Sequence, residues 1–308
     1  MTCCAVASYW LWIKSARRGV KPMPEQSALL EQMEFPFSDS DFEQLSLLIT
    51  KRTGIELPSH KKALVYGRLA RRLRALGLKD FTSYIKMMDD KIKQGNEEEL
   101  ITAIQAVTTN VTSFFRESHH FDVLREALPK MLAEHGEVRI WSSACSTGEE
   151  PWSIAMVVAE FCKNNPDAKV SILASDIDNA AIAKAQKGSY TLRPEELKVH
   201  PLMGKYLKDT GPARMPHERT YSIDQNLRPY VQFKQLNLIE DWRLPKAAHI
   251  VFCRNVIIYF GRETKTGIFE RMNRSMVSGG LLCIGHSETL LGISSAYKLI
   301  GRTTYQKV

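Results

Sequence analysis

The sequence lacks the patterns that mark a disulfide-bonded, zinc-binding or membrane-spanning protein. Its six cysteines are scattered, without C-x-x-C pairs and without accompanying histidine clusters, so neither a disulfide framework nor a metal site is predicted. The apolar run over residues 3–13 is too short to cross a membrane. Its basic residues follow the run instead of preceding it, which is the wrong order for a signal peptide. We therefore expect a cytoplasmic protein without a transmembrane segment.

Internal repeats and low-complexity tracts are also absent.

The length of 308 residues favours two domains. The net charge of +8 would attract nucleic acid, acidic membrane surfaces or an acidic protein substrate without choosing among them. Residues 1–34 are interpreted as a disordered or adventitious extension, with Met23 or Met33 as alternative starts and a membrane-surface segment as the competing interpretation.

A small all-helical domain is predicted over residues 35–108. Ser40 and Glu43 fit a capping box at the start of its first helix, which Gly54 ends. The apolar faces of the helices can pack on one another, which is why a separate domain is expected. Three further helices are predicted over about residues 58–75, 81–93 and 97–107, the last with a cap at Asn96.

The second helix carries a basic flank that has two interpretations. At 100° per residue, Val65, Leu69 and Leu73 fall on a buried stripe. Such a flank is either a solvated helix face or a docking site for acidic helices or phosphates, and the sequence alone leaves both open. The basic flank consists of Lys61, Arg68, Arg71 and Arg72.

From about residue 137 onward, apolar strands alternate with helices, which is typical of a doubly wound, mostly parallel sheet. A linker and connecting helix over residues 109–136 are expected to join this α/β domain, residues 137–308, to the helical one. The stretch 189–230 is too long for a loop and holds several prolines and glycines. We expect a small β-subdomain inserted there, with a strand at Arg219–Ile223.

The turn after the first strand favours a cofactor other than a dinucleotide. It reads Trp-Ser-Ser-Ala-Cys-Ser-Thr-Gly-Glu-Glu-Pro over residues 141–151 and lacks the G-x-G-x-x-G that lets a diphosphate approach the backbone. Glu149 and Glu150 would repel a phosphate, yet they suit S-adenosylmethionine with its sulfonium and ammonium groups. Asp176, at the tip of the next strand, is placed to hold ribose hydroxyls. The competing interpretation is that the paired glutamates only complement the helix dipole.

Three further stretches carry candidate site residues: the segment 110–117 between the two domains, the end of the third core strand, and the segment 252–260 after the fourth core strand. In the segment 110–117, Arg116 makes sense near a sulfonium if it orients a carboxylate, because guanidinium binds carboxylates in a planar fork; a surface charge at a helix end is the alternative. Asn237 ends the third core strand and can meet an adenine edge. The segment 252–260 lacks the Asn/Asp-Pro-Pro-aromatic turn of nucleobase amine methylases, so nucleobase N-methylation is disfavoured. Tyr259 can also be an ordinary buried tyrosine.

Five motifs, in family order, resemble the CheR-type chemotaxis receptor methyltransferases over residues from about 35 to 308. The resemblance implies a helical N-terminal domain, a Rossmann-like S-adenosylmethionine-dependent methyltransferase domain and a small inserted β-subdomain. The motifs are Asn110-Val111-Thr112-Ser113-Phe114-Phe115-Arg116-Glu117, Ser146-Thr147-Gly148-Glu149-Glu150-Pro151, Ser175-Asp176-Ile177-Asp178, Phe252-Cys253-Arg254-Asn255-Val256 with Tyr259, and Gly285-His286-Ser287-Glu288.

The resemblance also implies roles for individual residues. Arg116 and Tyr259 become the candidates for positioning a substrate glutamate, and the basic flank of the second helix would face the methylation region of the receptor. The cofactor would lie near Asn110, Thr112, Arg116, Glu150, Asp176, Asn237, Leu238, Arg254 and Asn255.

The implied activity is methyl transfer from S-adenosylmethionine to glutamate side chains of chemoreceptors. A glutamate is already ionised at neutral pH, so the transfer would need positioning and neither a general base nor a metal. The implied partner is the cytoplasmic domain of a receptor, whose C-terminal peptide docks on the β-subdomain in some members; no nucleic acid partner is expected. An RNA methyltransferase and a non-catalytic cofactor-binding adaptor are the alternatives, although the aromatic platforms expected for base stacking are not evident.

Overall fold

The computed structural model of the chain describes residues 34–108 and 112–308. The first of these parts is helical, as predicted. Apart from Glu34, the predicted extension lies outside the described residues. No helix in the described ranges is both long and apolar enough to cross a membrane. The helices of the first part are α1 (Asp39–Thr53), α2 (Lys62–Leu76), α3 (Phe81–Lys93) and α4 (Glu98–Val107), with a 3₁₀ turn at Ser59–Lys61 before α2.

The start of α1 differs from the prediction. Ser38 and Asp41 form the capping box, in which each side chain accepts a hydrogen bond from the backbone N–H of the other residue, at 3.0 and 2.9 Å. The predicted pair, Ser40 and Glu43, is therefore wrong. Both four-residue stretches fit the same pattern, but Phe37 is buried and packs on the aromatic ring at position N4 with centroids 6.0 Å apart. This hydrophobic staple sets the helix start two residues earlier.

An α/β domain follows the helical domain. Its strands are β1 (Glu137–Ser142), β2 (Lys169–Asp176), β3 (Ser189–Leu192), β4 (Leu207–Pro212), β5 (Arg219–Ile223), β6 (Val231–Gln235), β7 (Ala248–Cys253), β8 (Met276–Ile284), β9 (Tyr297–Gly301) and β10 (Thr304–Lys307). Its helices are α5 (His119–His135), α6 (Glu149–Asn164), α7 (Asn179–Lys187), α8 (Pro201–Tyr206) and α9 (Arg262–Arg274).

Seven strands form one sheet of order β6-β2-β1-β7-β8-β10-β9. The strands from β6 to β8 pair in parallel, whereas β10 runs antiparallel to β8 and β9. The chain moves outward from β1 to β2 and β6, then starts again at β7 and moves outward on the other side. This is the doubly wound, Rossmann-like sheet that the sequence predicts, and the reversal creates a crevice at the carboxyl ends of β1 and β7.

Side chains pack on both faces of the sheet, and one face also carries the helical domain. Ile140 and Trp141 are neighbours on β1 but belong to two different clusters of buried residues. The cluster of Trp141 continues to Leu45 of α1, so the two domains share one core. Gly54 ends α1 with φ 71°, and a Cβ atom there would lie 2.8 Å from Cγ2 of Thr264 on α9. Glycine thus permits the close approach of α1 to the α/β domain.

The inserted segment contains a three-stranded antiparallel sheet of order β3-β5-β4. Its central strand, β5, spans Arg219–Ile223, as predicted. Tyr190 of β3 donates a hydrogen bond to the carbonyl of Thr147 at 2.8 Å. His200, which precedes α8, stacks on Phe115 with ring centroids 3.7 Å apart. The insertion is therefore anchored to two of the loops that carry the sequence motifs.

Candidate active site

A cavity of about 510 Å³ lies at the crevice between β1 and β7, and the helical domain contributes to its wall. The structure brings the predicted site residues together there from five separate stretches of chain, while the role of each stays a prediction. Asn110 lies outside the described residues. The predicted residues that line the cavity are Thr112, Arg116, Glu150, Asp176, Asn237, Leu238, Arg254, Asn255 and Tyr259.

The turn between β1 and α6 is built from small residues because it is closely packed. Gly148 has φ 98°, and a Cβ atom there would lie 2.6 Å from the Cβ of Ala185 on α7, so a side chain would displace that helix. Ser146 has a left-handed φ of 47°. Its backbone N–H donates to Asp176 Oδ2 at 2.8 Å. The first turn is thereby fixed to the tip of β2.

Both carboxylate oxygens of Asp176 contact the backbone. In addition to the bond from Ser146, Oδ1 accepts a hydrogen bond from the N–H of Asp178 at 3.0 Å. Burial raises the pKa of Asp176 above its usual value, and these N–H groups oppose the rise. Because a carboxylate has about four acceptor positions, Asp176 keeps the capacity to accept hydrogen bonds from the hydroxyl groups of a ribose.

A buried ion pair joins α6 to the loop after β7. Arg254 Nη1 donates to Glu150 Oε2 at 3.0 Å, and Ser142 Oγ donates to the other oxygen at 2.7 Å. The side chain of Arg254 is 2% exposed and that of Glu150 is 12% exposed. Burial raises the pKa of Glu150, while the charge of Arg254 favours the ionised carboxylate. Loss of either partner would leave the other buried without its counterion.

Glu117 belongs to one of the family motifs, but its role could not be predicted from the sequence. Its Oε1 accepts a hydrogen bond from Asn255 Nδ2 at 3.3 Å and lies 2.9 Å from His286 Nδ1. Its Oε2 lies 3.5 Å from Arg254 Nη2. Burial opposes ionisation of Glu117, but the hydrogen bond with His286 and the charge of Arg254 outweigh it and lower the pKa to about 2. Glu117 is therefore an ionised carboxylate beside Arg254 at neutral pH.

Glu288, from the last motif, supports the loop after β7. Its carboxylate accepts hydrogen bonds from the N–H groups of Asn255 and Ile257, each at 2.9 Å, and of Gly285 at 2.5 Å. Burial raises the pKa of Glu288 and these N–H groups oppose the rise. A Cβ atom at position 285 would lie 2.5 Å from Asn255 Nδ2, so glycine is required. These contacts hold Asn255 at its left-handed φ of 57°.

The helical domain contributes α4 to the cavity wall. Ile101, Ile104 and Gln105 line the cavity. Gln105 Nε2 donates to Asp178 Oδ2, and Asp178 Oδ1 caps α7 by accepting from the N–H of Ala180 at 2.8 Å. No local pattern predicts the contact between the two domains, because 73 residues separate Gln105 from Asp178.

Asn237 connects β6 to the helical domain. Its Nδ2 donates to the carbonyl of Arg52 at 3.3 Å and to Glu240 Oε1 at 3.2 Å. Its Oδ1 accepts from the N–H of Ile239 at 3.3 Å. The neighbouring Leu238 is buried. The amide of Asn237 is already partnered within the protein, so a contact with an adenine edge would use its remaining hydrogen-bonding capacity or exchange one of these bonds.

Arg116 and Tyr259, the predicted substrate-positioning pair, line the same cavity. The side chain of Arg116 is 36% exposed, and its backbone carbonyl accepts a hydrogen bond from Arg254 Nη2. Tyr259 is half-buried, and its carbonyl accepts from the N–H of Glu56 at 2.9 Å. The predicted cofactor and substrate residues therefore share one chamber, which solvent reaches at Arg116.

Two members of the basic flank make contacts within the helical domain. Arg72 forms a two-pronged ion pair with Glu99, through Nε at 2.8 Å and Nη2 at 2.5 Å. Arg68 Nη1 donates to the carbonyl groups of residues 106–108 at the end of α4, where the helix dipole favours a cation. Arg71 is exposed. These contacts do not test the docking prediction, which stays open for the whole flank.

The donor set of the cavity fits S-adenosylmethionine. Three acids, Glu150, Asp176 and Asp178, line it, and Arg254 offsets the first of them. This charge favours a ligand with sulfonium and ammonium groups, whereas it would repel a diphosphate. Apolar walls for the remainder of the ligand come from Ile55, Ile101, Ile104, Ile177 and Leu238.

Comparisons with known proteins point to one family. Residues 110–306 match the family model described as CheR methyltransferase, SAM binding domain, and residues 40–108 match CheR methyltransferase, all-alpha domain. The chain is 39% identical over 292 residues to a chemotaxis protein methyltransferase of Salmonella typhimurium, covering 92% of this chain and 96% of that protein. It is 39% identical over 289 residues to the protein of that name in Escherichia coli, with coverage of 92% and 96%. It is 38% identical over 286 residues to chemotaxis protein methyltransferase 2 of Pseudomonas aeruginosa, with coverage of 92% and 99%.

Proposed function

The chain belongs to the CheR methyltransferase family and is an S-adenosylmethionine-dependent methyltransferase, and on that basis we propose that it methylates glutamate side chains of chemoreceptors in chemotactic adaptation. The product would be a glutamate methyl ester. The observation that carries the proposal is that Arg116 and Tyr259 line the same cavity as the acids Glu150 and Asp176. A carboxylate bound at Arg116 would therefore enter the chamber that the cofactor residues line.

S-adenosylmethionine is the cofactor, and when bound it supplies a methyl group on a positively charged sulfur. Glu150 and Asp176 would meet its positive charge and its ribose, and the buried Arg254 would hold Glu150 in place. Arg116 lies where the proposed cofactor and substrate regions join. The residues proposed to hold the cofactor are Asn110, Thr112, Arg116, Glu150, Asp176, Asn237, Leu238, Arg254 and Asn255.

The reaction depends on positioning because the acceptor is already a nucleophile. A glutamate side chain has an ordinary pKa of about 4.3 and is ionised at neutral pH, so no general base is needed. Arg116 can hold the carboxylate in a planar fork, and Tyr259 Oη can donate a hydrogen bond to one of its oxygens. Holding reacting atoms in near-attack geometry can supply roughly 7–11 kcal/mol of the barrier reduction.

The two arginines of the cavity differ in a way that supports this division of roles. Arg254 is 2% exposed and contacts Glu150 and Glu117, so its charge is offset inside the protein. Arg116 is 36% exposed and its Nε lies 4.0 Å from Glu117. An anionic side chain arriving from solvent can therefore reach Arg116, whereas Arg254 is almost fully enclosed by the protein.

The proposal is tested by incubating the protein with chemoreceptor-containing membranes and methyl-tritiated S-adenosylmethionine. We expect label on the receptor that mild base releases as methanol, which identifies a methyl ester. Arg116→Ala should lower kcat/KM by roughly 100-fold or more, because a misaligned acceptor loses that much rate. The matched control is Arg125→Ala, since Arg125 is exposed on α5 and contacts Asp122.

Two results would contradict the proposed activity, and a third would contradict the role of Arg116 alone. Label that resists base would indicate a product other than an ester. Label found on RNA and not on receptor would favour the RNA methyltransferase. Turnover by Arg116→Ala equal to that of Arg125→Ala would remove Arg116 from the reaction, although the ester itself could still form.

We also propose that the protein acts in the cytoplasm on the receptor's cytoplasmic domain, with the basic flank of α2 facing the receptor. Arg71 is the exposed member of that flank, so Arg71→Glu should raise the KM for the receptor, most strongly at low salt, and leave kcat unchanged. Docking of a receptor C-terminal peptide on the three-stranded sheet is a separate part of the proposal. Removing that peptide from the receptor tests it.

A further inference from the structure

Arg116 lies in an unusual stretch of backbone. The residues on either side of it, Phe115 and Glu117, have left-handed φ values of 52° and 54°, which residues other than glycine rarely adopt. Such conformations persist only where the surroundings fix them, and they cluster at functional sites. The contacts that hold these two residues therefore determine where Arg116 points.

Phe115 is held by packing. Its ring is 2% exposed and stacks on His200 at 3.7 Å with an angle of 7° between the ring planes. It also meets the ring of Phe121 edge-on at 4.9 Å, and its N–H donates to Ser153 Oγ at 3.0 Å. Contacts from α5, α6 and the inserted segment thus fix the residue before Arg116.

Glu117 is held by hydrogen bonds and charge. The side chain is 9% exposed. Its partners are Arg254 and Asn255 from the loop after β7 and His286 from the loop after β8, and Nδ1 of His120 on α5 lies 3.8 Å from Oε2. Arg254 Nη2 also donates to the carbonyl of Arg116. One guanidinium therefore contacts both the backbone of residue 116 and the carboxylate of residue 117.

We propose that Glu117 is a positioning residue for methyl transfer. Its buried carboxylate fixes Arg254, Asn255 and His286 around the left-handed turn and so sets the direction in which Arg116 presents its guanidinium to the substrate carboxylate. Glu117 is not among the residues that line the cavity, so it acts through Arg116 and contacts neither reactant. This inference rests on the proposed function of Arg116.

The charge of Glu117 is required as well as its shape. In Glu117→Gln the side chain keeps its size, but an NH₂ donor replaces one of the two acceptor oxygens. That NH₂ would face either the guanidinium of Arg254 or Nδ2 of Asn255, and both of these are donors. Each orientation loses an attractive contact that holds the turn, so the substitution releases Arg116 without creating a cavity.

The experiment compares Glu117→Gln with Glu126→Gln, the same chemical change at an exposed position of α5. For each variant we would measure kcat and KM for receptor methylation, the melting temperature, and hydrogen exchange of the backbone amides over residues 113–118. We expect kcat/KM of Glu117→Gln to fall about 10- to 100-fold, exchange over 113–118 to accelerate, and the melting temperature to change by only a few degrees. Glu126→Gln should match the wild type.

A double variant separates positioning from a merely structural role. If Glu117 acts through Arg116, then Glu117→Gln combined with Arg116→Lys should lose less activity than the product of the two single losses. Losses that multiply would overturn the proposal, as would unchanged exchange over residues 113–118 or a kcat/KM within twofold of the wild type. A wild-type protein that forms no receptor ester would refute the proposed function, and the exchange data would still decide whether Glu117 orders the turn.

Discussion

Arg254→Leu tests the charge arrangement in the cavity wall. Arg254 is 2% exposed and lies 3.0 Å from a carboxylate oxygen of Glu150 and 3.5 Å from one of Glu117. Removing one partner of a buried ion pair leaves an uncompensated buried charge, which costs about 3–5 kcal/mol. At about 2–4 °C per kcal/mol for large domains, the melting temperature should fall by roughly 6–20 °C.

The stability lost in Arg254→Leu should depend on pH, because the buried Glu150 carboxyl can lose its uncompensated charge by taking up a proton. Burial already raises the pKa of Glu150 against the charge of Arg254, and without that charge the pKa rises further. A group whose pKa is raised in the folded state stabilises the fold at low pH and loses that contribution as the pH rises through the folded-state pKa. The difference in free energy of unfolding between wild type and Arg254→Leu should therefore be smaller at pH 6 than at pH 8.

Urea denaturation followed by circular dichroism at pH 6, 7 and 8 measures this difference. Arg125→Leu is the matched control, because Arg125 and Asp122 are 56% and 59% exposed and an exposed pair contributes about 0–1 kcal/mol. Adding Glu150→Gln to Arg254→Leu should recover part of the lost stability and flatten its pH dependence. The reasoning would be refuted if the stability lost in Arg254→Leu did not change with pH and the double variant were no more stable than Arg254→Leu alone.

Three further predictions concern stability and the cofactor site. Burial holds the pKa of His120 at about 3 and that of His249 at about 4, so the unfolded chain takes up protons at these positions that the folded chain excludes. Lowering the pH from 7 to 5 should therefore reduce the free energy of unfolding by about 2 kcal/mol per histidine. Urea denaturation at the two pH values measures this change. Gly148→Ala should lower the melting temperature and weaken S-adenosylmethionine binding in calorimetry, since its Cβ would lie 2.6 Å from that of a neighbouring alanine. Arg68→Ala should cost about 1–2 kcal/mol in the same denaturation assay because three carbonyl groups lose a charged donor, whereas Arg71→Ala should stay within about 0.5 kcal/mol of the wild type.

The elements could be predicted from the sequence where a local pattern decides them. The helix over Phe81–Lys93 has a local start signal, because the side chain of Asp80 accepts a hydrogen bond from the N–H of Ser83. The strand Arg219–Ile223 lies between two stretches that contain prolines and glycines. The start of α1 could not be predicted, because Ser38 and Ser40 both open a serine-x-x-acid pattern. The burial of Phe37 against the rest of the helical domain decides between the two patterns, and this is a tertiary effect.

In the candidate site, too, some features follow from local sequence patterns and others depend on tertiary packing. Residues at strand ends, such as Asp176, could be predicted because parallel strands bring their carboxyl ends to one edge of the sheet. Contacts between distant segments could not: 169 residues separate Glu117 from His286, and 73 separate Gln105 from Asp178. Each of these contacts depends on how loops and domains pack on one another, and no periodicity in the sequence predicts that packing.

The charges that line the cavity would allow an arginine to lie beside a cationic methyl donor. Three acids, Glu150, Asp176 and Asp178, face two arginines, so the wall complements a ligand of net positive charge. Of the arginines, the enclosed Arg254 pairs with carboxylates of the protein, and in the proposed reaction Arg116, which is 36% exposed, meets the carboxylate of the substrate. In this proposal the donor and the acceptor would each be bound by groups of opposite charge from one wall of the cavity. Neither partner would have to change its protonation state, so the proposed reaction would depend on the geometry of the turn that carries Arg116.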